Sequence, residues 1–396
     1  MWLVEWLCRA ILGNIIMDDF VVMFGDNKVG TSDAKWKVRI SAPWLFIWNL
    51  LAKGETGFGE SYRDGHWSLT ENDLGDFLVT IAKNSRESWF QMIRYLLPPY
   101  WLNRWNFNWA NKSKTDDKHA VQVSYDTNER MCEVMLDQQY HMYTCARFLN
   151  PNDNLLTAQI NKLDLLFSPI KANIKGDGSD VRLLDIGCGW GGLMKYAAER
   201  YQCIQCVGIT NSPGMAASIN SKFNNPRINA FETDFRDWTS EQPFDVVTSL
   251  GMVEHIGVQN YDAYAETISR SLKPGGRAVI QTINAREWNN LSVRTKNILP
   301  HDSFVMHYIF PCSQIPNLDW IHESFSKDFK HLHTETFGRD YGLTTRFWRL
   351  NLREYQNEHH DLPEDEVRKF EYYLAWCEAA FLNEFLHLSQ LVFEKK

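Results

Sequence analysis

Long hydrophobic runs are absent from this 396-residue sequence, and no stretch reaches the ~18 uncharged apolar residues of a membrane-spanning helix. We therefore expect no transmembrane helix. Glycine and proline are also scarce, at 22 and 13 residues, far below the ~25% share of low-complexity chains. Hydrophobic residues make up 44% of the chain, which is enough to fold a core. The length favours two domains over one.

The chain also lacks an excess of positive charge. Its 41 lysines and arginines are outnumbered by 49 aspartates and glutamates, giving a net charge of −8. An acidic chain has no overall attraction to nucleic acid or to an anionic bilayer, so either partner would need a local basic or apolar patch. We expect no nucleic-acid partner.

Cysteine is sparse as well. Eight scattered cysteines do not form the dense framework of a small secreted fold, so we expect a cytoplasmic, reducing environment. Cys203 and Cys206 form a close pair, but no second CxxC accompanies them, and they lie in an apolar, strand-like run. The histidine pairs near the C-terminal end also lack further ligands at metal spacing. We expect no metal site.

The N-terminal part has its own organisation. Residues 1–20 carry apolar side chains at helical spacing, which predicts an amphipathic helix that packs on its own domain, on a second subunit or in a bilayer interface. Residues 36–110 suggest a small mixed α/β module, and the polar segment Asn111–Gln122 follows. We predict a domain of residues 1–110 for membrane association or dimerisation, with a homodimer as one expectation, and a second domain of residues 111–396.

Short β-rich runs alternate with helical stretches of ten to twenty residues from about residue 180 onward. This alternation is typical of βαβ units, which build a parallel sheet with helices on both faces. The runs are VRLLDIG, CIQCVGIT, INAFETD, FDVVTSLG and GRAVIQTI. A turn at KPGG is predicted to lead into the fifth strand. The sequence therefore predicts an α/β, doubly wound fold.

A glycine-rich turn follows the first of these strands. In LLDIGCGWGG, Gly187, Gly189 and Gly191 allow a tight turn and bring backbone N–H groups close to a ligand. The pattern is not GxGxxG, and a Walker lysine is absent, so dinucleotides and nucleoside triphosphates are less favoured. A nucleotide-like cofactor fits this turn.

Polar residues stand at the ends of the next strands. Thr210 and Ser212 follow the second strand, Asp234 the third, and Glu254 with His255 the fourth. Open α/β sheets bind ligands at the carboxyl ends of their strands. This order of landmarks resembles the S-adenosylmethionine-dependent methyltransferase fold, whose glycine loop holds the methionine part of the cofactor. The resemblance implies a class I fold with a mostly parallel seven-stranded sheet and a smaller N-terminal mixed α/β domain.

Further motifs narrow this resemblance. LDIGCGWGGL, GMVEHIG, LKPGG, YIFP, FGRDY and YYLAWCEAAF, with GFGESYRDGHW upstream, resemble the cyclopropane-fatty-acyl-phospholipid synthase family over about residues 36–394. In that family a cis-alkene of a phospholipid acyl chain attacks the methyl group of S-adenosylmethionine, and a bound bicarbonate takes the proton lost on ring closure. The resemblance implies S-adenosylmethionine and bicarbonate as cofactors and an unsaturated phospholipid in a bilayer as partner. It also implies a location peripheral to the membrane.

The resemblance also assigns candidate site residues. The implied catalytic residues are Cys145, Glu254, Gln281, Tyr341 and Cys377. The implied cofactor-binding residues are Tyr125, Tyr143, Thr144, Gly187, Gly189, Thr210, Asp234 and Phe235.

Three departures from the family pattern bear on the product. Gln281 stands where many members have histidine, and an amide donates hydrogen bonds but cannot carry a proton. Met215 stands where the family often has glutamine, which removes one polar contact to the cofactor. The segment 284–307 is longer than usual, and we expect it to form part of a lid over the acyl channel.

Three functions are compatible with these sequence features. The first is methyl or methylene transfer to unsaturated acyl chains, forming cyclopropane or methyl-branched chains. The second is methyl transfer to a small amine, as in plant alkaloid N-methyltransferases that share the scaffold. The third is a catalytically impaired relative, suggested by Gln281. The GFGESYRDGHW segment fits the lipid enzymes better.

Overall fold

The computed structural model describes residues 20–30, 33–71, 73–85, 129–171, 181–201, 205–285, 303–311 and 313–396. Several expectations concern residues outside these ranges. They are the amphipathic helix in residues 1–20, of which only Phe20 is described, the polar segment Asn111–Gln122 with the predicted domain boundary, Tyr125, Cys203 and most of the segment 284–307.

The elements alternate along the chain largely as the hydrophobic pattern predicts. The strands are β1 (Phe20–Phe24), β2 (Asn27–Gly30), β3 (Trp36–Ile40), β4 (Trp67–Leu69), β5 (Arg182–Ile186), β6 (Gln205–Thr210), β7 (Ile228–Glu232), β8 (Phe244–Leu250), β9 (Leu272–Asn284), β10 (Phe329–Thr336) and β11 (His387–Lys395). The helices are α1 (Pro43–Lys53), α2 (Glu55–Arg63), α3 (Leu74–Ser85), α4 (Glu129–Met135), α5 (Leu155–Lys171), α6 (Gly192–Arg200), α7 (Pro213–Lys222), α8 (Val253–Ile256), α9 (Tyr261–Ser271), α10 (Phe304–Tyr308), α11 (Leu318–Phe325), α12 (Gly338–His359) and α13 (Glu364–Leu382). Across the described ranges, no helix is both long and apolar enough to cross a membrane.

The chain divides into two compact units. The first comprises the described parts of Met1–Trp109, Arg294–Pro311 and Thr345–Glu384, and the second comprises the described remainder. This division differs from the expectation of two domains that are each continuous in sequence, because residues 294–311 and 345–384 group with the N-terminal part. The boundary near residue 345 falls inside α12.

The second unit contains a mostly parallel sheet, which confirms the predicted fold class. Within the described residues, seven strands are ordered β10-β11-β9-β8-β5-β6-β7. The pairings among β5, β6, β7, β8 and β9 are parallel. The last strand, β11, runs antiparallel between β9 and β10. The strand runs read from the sequence thus form the centre of this sheet.

Alternation along the strands gives the sheet two buried faces, because successive side chains of a strand point to opposite sides. Leu183 packs in one core with residues of α5, α6 and α7, whereas Leu184 packs in the other with residues of α9 and α11. Both leucines are fully buried. Helices therefore cover both faces, as a doubly wound sheet requires.

The predicted KPGG turn lies inside a strand rather than before it. β9 begins at Leu272, which pairs with Phe244, and the next pair joins Val246 to Arg277. Between these two pairs the chain advances five residues on β9 but only two on β8. Gly275, with φ +74°, lies in this bulge. The sequence locates the turn, but only the register of β8 shows that pairing begins ahead of it.

The first unit has a small mixed sheet, in agreement with the predicted mixed α/β module. Its described strands are ordered β2-β1-β3-β4, with β1 and β3 parallel and the other pairs antiparallel. Aromatic rings fill its core: Phe77 of α3 contacts Phe20 and Trp36 at centroid distances of 5.5 and 5.7 Å. Trp67, fully buried, stacks on Phe58 at 4.5 Å.

A buried ionic cluster links the C-terminal helices to the rest of this first unit. Arg349 of α12 donates hydrogen bonds to Asp73 at 2.8 and 2.9 Å and to Glu378 of α13 at 3.1 Å. The Arg349 and Glu378 side chains are almost completely buried. These buried charges are paired with one another, as buried charges must be, and the pairs connect residues 345–384 to the N-terminal segment. Arg349 and Asp73 are 276 residues apart in sequence, so no local pattern indicates their pairing.

Candidate active site

A pocket of about 1150 Å³, counting space open to solvent, lies in the second unit at the carboxyl ends of β5, β6 and β8. The order of strands reverses at β5, since β6 and β7 lie on one side and β8 and β9 on the other. Crossover connections leave in opposite directions at such a switch point, which opens a crevice. The pocket is therefore where a doubly wound sheet binds its ligand.

The glycine loop after β5 forms the floor of this pocket. Gly187 and Gly189 have φ values of +80° and +53°, a region that favours glycine. A side-chain carbon on Gly187 would lie 3.3 Å from Met252, whereas one on Gly189 would meet nothing within 4 Å. The space above Gly189 is therefore open to a ligand.

Polar groups interrupt an otherwise largely apolar wall. Asp185, at the end of β5, accepts a hydrogen bond from the Thr248 hydroxyl at 2.8 Å, and burial raises the pKa of its carboxyl group to about 6. Thr210 ends β6, and its hydroxyl accepts from the Ser212 amide at 3.2 Å. Asn211 lies beside it on the wall. An apolar cleft with a few fixed polar groups is the usual form of a cofactor site.

Most of the candidate cofactor residues meet at this pocket. The ones on its wall are Tyr143, Thr144, Gly187, Gly189, Thr210 and Phe235. Asp234 is not among the lining residues, and its carboxylate accepts two hydrogen bonds from the Arg236 side chain, at 2.6 and 2.7 Å. Its neighbour Thr233 lines the pocket instead. Tyr125 lies outside the described residues.

The pocket also includes residues that the sequence reasoning missed. Asp185, Asn211 and Thr233 line it, and the first is the acidic residue of the strand that leads into the glycine loop. Asn211 and Thr233 directly follow β6 and β7, so their position after a strand was an available signal. Met215, noted as a departure from the family pattern, is on the wall as well.

A second cluster in the same unit gathers two candidate catalytic residues. Cys145 is fully buried and packs with Phe337 and Leu388, and Tyr341 and Ile283 pack against this group. The Cys145 thiol donates to the Ala146 carbonyl at 3.1 Å. Burial raises the pKa of this thiol well above its usual value, so the group is a neutral thiol and not a nucleophilic thiolate.

Glu254 joins this cluster through the backbone. It lies on α8, and its Oε1 accepts a hydrogen bond from the Ile283 amide at 2.6 Å. Its Oε2 is buried and has no hydrogen-bond partner among the described residues. Burial raises the pKa of the carboxyl group to about 7, although the Ile283 amide and the Thr282 hydroxyl favour the charged form. A carboxyl group poised near neutrality is suited to exchanging protons.

Gln281 lies on β9 two residues before Ile283, and therefore on the same face of the sheet. Its side chain is 1% exposed, and its Oε1 has no partner in the described structure. A buried amide with a free polar atom costs stability unless a ligand or water satisfies it. The structure thus groups Cys145 with Tyr341, joins Glu254 to Ile283 of that group, and places Gln281 on the same face of β9 as Ile283.

Cys377 belongs to the first unit and not to the second. It lies on α13, is half-buried, and burial raises the pKa of its thiol to about 12. It is therefore a neutral thiol, like Cys145. Its proposed catalytic role stays a prediction.

The fold and the pocket define the class of protein. A mostly parallel seven-stranded sheet, with a glycine loop at its switch point and an apolar pocket beyond it, is that of an S-adenosylmethionine-dependent methyltransferase of class I. Solved structures agree. The cyclopropane synthase MmaA2 from Mycobacterium tuberculosis matches with a TM-score of 0.61 and 25% identity, over 70% of this chain and 98% of that one. The mycolic acid cyclopropane synthase CmaA1, solved in complex with SAH and CTAB, matches with the same TM-score, identity and coverage.

The sequence comparison gives the family. Residues 112–391 match the family described as Mycolic acid cyclopropane synthetase, and the chain belongs to it. The cyclopropane-fatty-acyl-phospholipid synthase of Escherichia coli K12 is 29% identical over 363 residues, which cover 90% of this chain and 87% of that protein. The family is S-adenosylmethionine-dependent, and an amine methyltransferase is not favoured.

We expect Gly189→Ala to weaken binding of S-adenosylhomocysteine by about tenfold or more, because the new methyl group would project into open pocket space. Isothermal titration calorimetry measures this affinity. Gly275→Ala is the matched control, since Gly275 also has positive φ and open space but lies away from the pocket. Both variants should lose about 1–2 kcal/mol of stability from backbone strain. Equal ligand affinities for the two variants would contradict this prediction.

Replacing Glu254 by glutamine should change how stability depends on pH. The unfolded glutamate releases its proton near pH 4.5, whereas the folded one holds it until about pH 7. The wild-type protein should therefore lose stability relative to Glu254→Gln as the pH rises through this window, by roughly 3 kcal/mol at most. Urea unfolding at several pH values measures the difference. Glu266→Gln, at an exposed position, should show no such trend, and a flat difference for Glu254→Gln would refute the assignment.

Proposed function

We propose that this protein transfers a methylene unit from S-adenosylmethionine to the double bond of unsaturated phospholipid acyl chains, forming cyclopropane fatty acyl chains. The observation that carries this proposal is the similarity to a cyclopropane-fatty-acyl-phospholipid synthase over 90% of the chain. That match extends into the N-terminal part, beyond the family match at residues 112–391. The proposal thus concerns a phospholipid substrate in particular.

The pocket at the switch point has the features needed to hold the cofactor. Gly189 borders open pocket space where the cofactor would lie, and Gly187 allows the tight turn beneath it. Tyr143, Thr144, Thr210 and Phe235 would hold the remaining parts of the cofactor. When bound, the sulfonium of S-adenosylmethionine supplies an electrophilic methyl group. The apolar wall favours reaction because it excludes the water that would otherwise solvate the charge.

Glu254 is the group in the second cluster that we assign to proton transfer. Its Oε2 has no partner among the described residues, and its carboxyl group titrates near neutrality. The Ile283 amide fixes the orientation of the carboxyl group. Gln281 cannot take up a proton at any relevant pH. Proton removal from the substrate therefore depends on Glu254 or on a base that Glu254 orients.

Bicarbonate is a candidate for that base. Glu254 Oε2 would accept a hydrogen bond from its hydroxyl, and the Gln281 amide, turned about its last bond, would donate to its oxygen. Phe337 and Leu388 add buried apolar side chains to this cluster, which would help to exclude water. A dry site protects a carbocation from water. If the proton were instead lost from a neighbouring carbon, the product would be a methyl-branched alkene.

A patch on α1 supports contact with a bilayer. Trp44, Leu45 and Trp48 are 57%, 54% and 60% exposed, whereas Phe46 and Ile47 on the same helix are buried. Tryptophan favours the headgroup depth of a membrane, and a helix with an exposed apolar face can lie in the interface. An acyl chain must come from a bilayer to reach the enzyme. We therefore propose that α1 contributes to peripheral membrane binding.

The activity is tested with the purified full-length chain, methyl-labelled S-adenosylmethionine and dioleoyl phosphatidylethanolamine vesicles. After saponification, mass spectrometry should find oleoyl chains that are labelled and heavier by one CH₂ group. Saturated distearoyl vesicles serve as the control and should remain unlabelled. We expect Gln281→His to raise the initial rate at least about tenfold, because a histidine can carry a proton. No label in any fatty acid, from either protein, would overturn the proposed function.

Membrane contact is tested by cosedimentation with the same vesicles. The double variant Trp44→Ser and Trp48→Ser should lower the bound fraction by at least about fivefold, since burial of two tryptophan rings in the interface is lost. Its affinity for S-adenosylhomocysteine should stay unchanged. Leu149→Ser is the control, because Leu149 is an exposed leucine outside α1, at 63%. Vesicle binding that is equal for all three proteins would exclude this patch.

A further inference from the structure

Lys162 is a completely buried lysine that the proposed chemistry does not use. It lies on α5 with 0% exposure. Within the described residues its Nζ donates a hydrogen bond to Thr144 Oγ1 at 3.0 Å. Burying a lysine is costly, and such residues are rare unless their charge serves an interaction. The bond ends on a residue of the pocket wall, which gives this lysine a connection to the ligand.

The direction of this bond determines what the Thr144 hydroxyl does. An ammonium group can only donate, so Thr144 must accept with an oxygen lone pair. The hydroxyl proton is then free to point to another acceptor. Within the described residues, no protein group accepts it. Because Thr144 lines the pocket, its hydroxyl proton can point toward a ligand bound there.

The segment that carries Thr144 is also fixed in place by α5. Gln159, one helical turn before Lys162, is fully buried and donates to the carbonyl oxygens of Thr144 and Met142 at 2.9 and 3.3 Å. Asp137 accepts from the Met142 amide at 2.9 Å. The backbone and the hydroxyl of Thr144 are thus both held from the α5 side.

We propose that Lys162 is a positioning residue that turns the Thr144 hydroxyl into the pocket as a donor for an anionic group, namely the carboxylate of the cofactor's amino-acid part. This inference rests on the proposed placement of the cofactor in the pocket. A charge-assisted hydrogen bond polarises the hydroxyl and strengthens its donation. The positive charge of Lys162 also offsets the negative charge that the carboxylate brings.

The surroundings of Lys162 support this role. Burial lowers the pKa of its ammonium group to about 7, against the opposing influence of the Asp137 and Asp185 carboxyl groups. A ligand carboxylate would favour the charged form further. If Lys162 lost its proton, the neutral amine could accept the Thr144 proton, and the hydroxyl would no longer donate to the ligand.

The experiment compares two ligands by isothermal titration calorimetry: S-adenosylhomocysteine and its decarboxylated analogue, which keeps the amine. Lys162→Met should bind S-adenosylhomocysteine about tenfold more weakly, while its affinity for the analogue changes less than about twofold. Thr144→Val should show the same selective loss, whereas Thr144→Ser, which keeps the hydroxyl, should bind like the wild type. The double variant Lys162→Met with Thr144→Val should lose no more affinity for S-adenosylhomocysteine than either single variant. Lys273→Met, which removes a surface lysine paired with Asp245, is the matched control and should bind both ligands normally.

Equal losses for the two ligands, or an unchanged affinity for S-adenosylhomocysteine, would overturn the inference. Should Lys162→Met fail to fold, the Thr144 variants decide by the same criteria, since that side chain is not fully buried. Binding is measured without lipid, so wild-type binding combined with no label in the lipid assay would refute the proposed function alone. Wild-type protein that binds neither ligand would overturn the cofactor placement together with this inference.

A pH series gives an independent readout. From pH 6 to 8, the wild-type preference for S-adenosylhomocysteine over the analogue should fall as Lys162 loses its proton. Asp185, His141 and His255 also line the pocket, and Lys162→Met retains all three. Any change of preference with pH in Lys162→Met therefore measures their contribution, and the wild-type change should exceed it. A wild-type preference that is independent of pH would argue against the role of Lys162.

Discussion

Parallel pairing of β5 with β6 on one side and β8 on the other is the constraint on which the second unit depends. Parallel strands bring their carboxyl ends to one edge, and the reversal of strand order at β5 leaves a crevice there. The glycine loop, Thr210 and α8 meet at this edge because their strands end at it. The pocket is thus a product of topology, and the side chains around it adjust its chemistry.

The same arrangement creates the buried carboxyl group. Glu254 follows β8, and the neighbouring strand β9 presents the Ile283 amide to it. One amide satisfies one oxygen and leaves the other available, while desolvation brings the group close to neutrality. Burial keeps the Cys145 thiol protonated at the same time. Of the Glu254 carboxyl group, the Cys145 thiol and the Gln281 amide, only the carboxyl group titrates near neutrality.

Much of the site was predictable because it depends on position along a strand. Gly187, Gly189 and Thr210 stand where strand runs end, and the structure brings them to one pocket. Asp234 stands at such a position too, yet its carboxylate pairs with Arg236. Whether the Asp234 carboxylate pairs with Arg236 or faces the pocket depends on the local backbone conformation. The pairing of β9 before the KPGG bulge was likewise not predictable, since it depends on the register of β8.

Hydrophobic alternation, turn residues and their order determined the fold class, the strands of the central sheet and the location of the glycine loop. These features are local, because a few adjacent residues set the backbone conformation and the buried face. Only the tertiary structure decided that Lys162 lies behind Thr144, that Glu254 receives the Ile283 amide, and that residues 345–384 pack with the N-terminal part. Hydrogen bonding and desolvation act over a few ångströms, and which distant residues come that close is settled by packing of the whole chain.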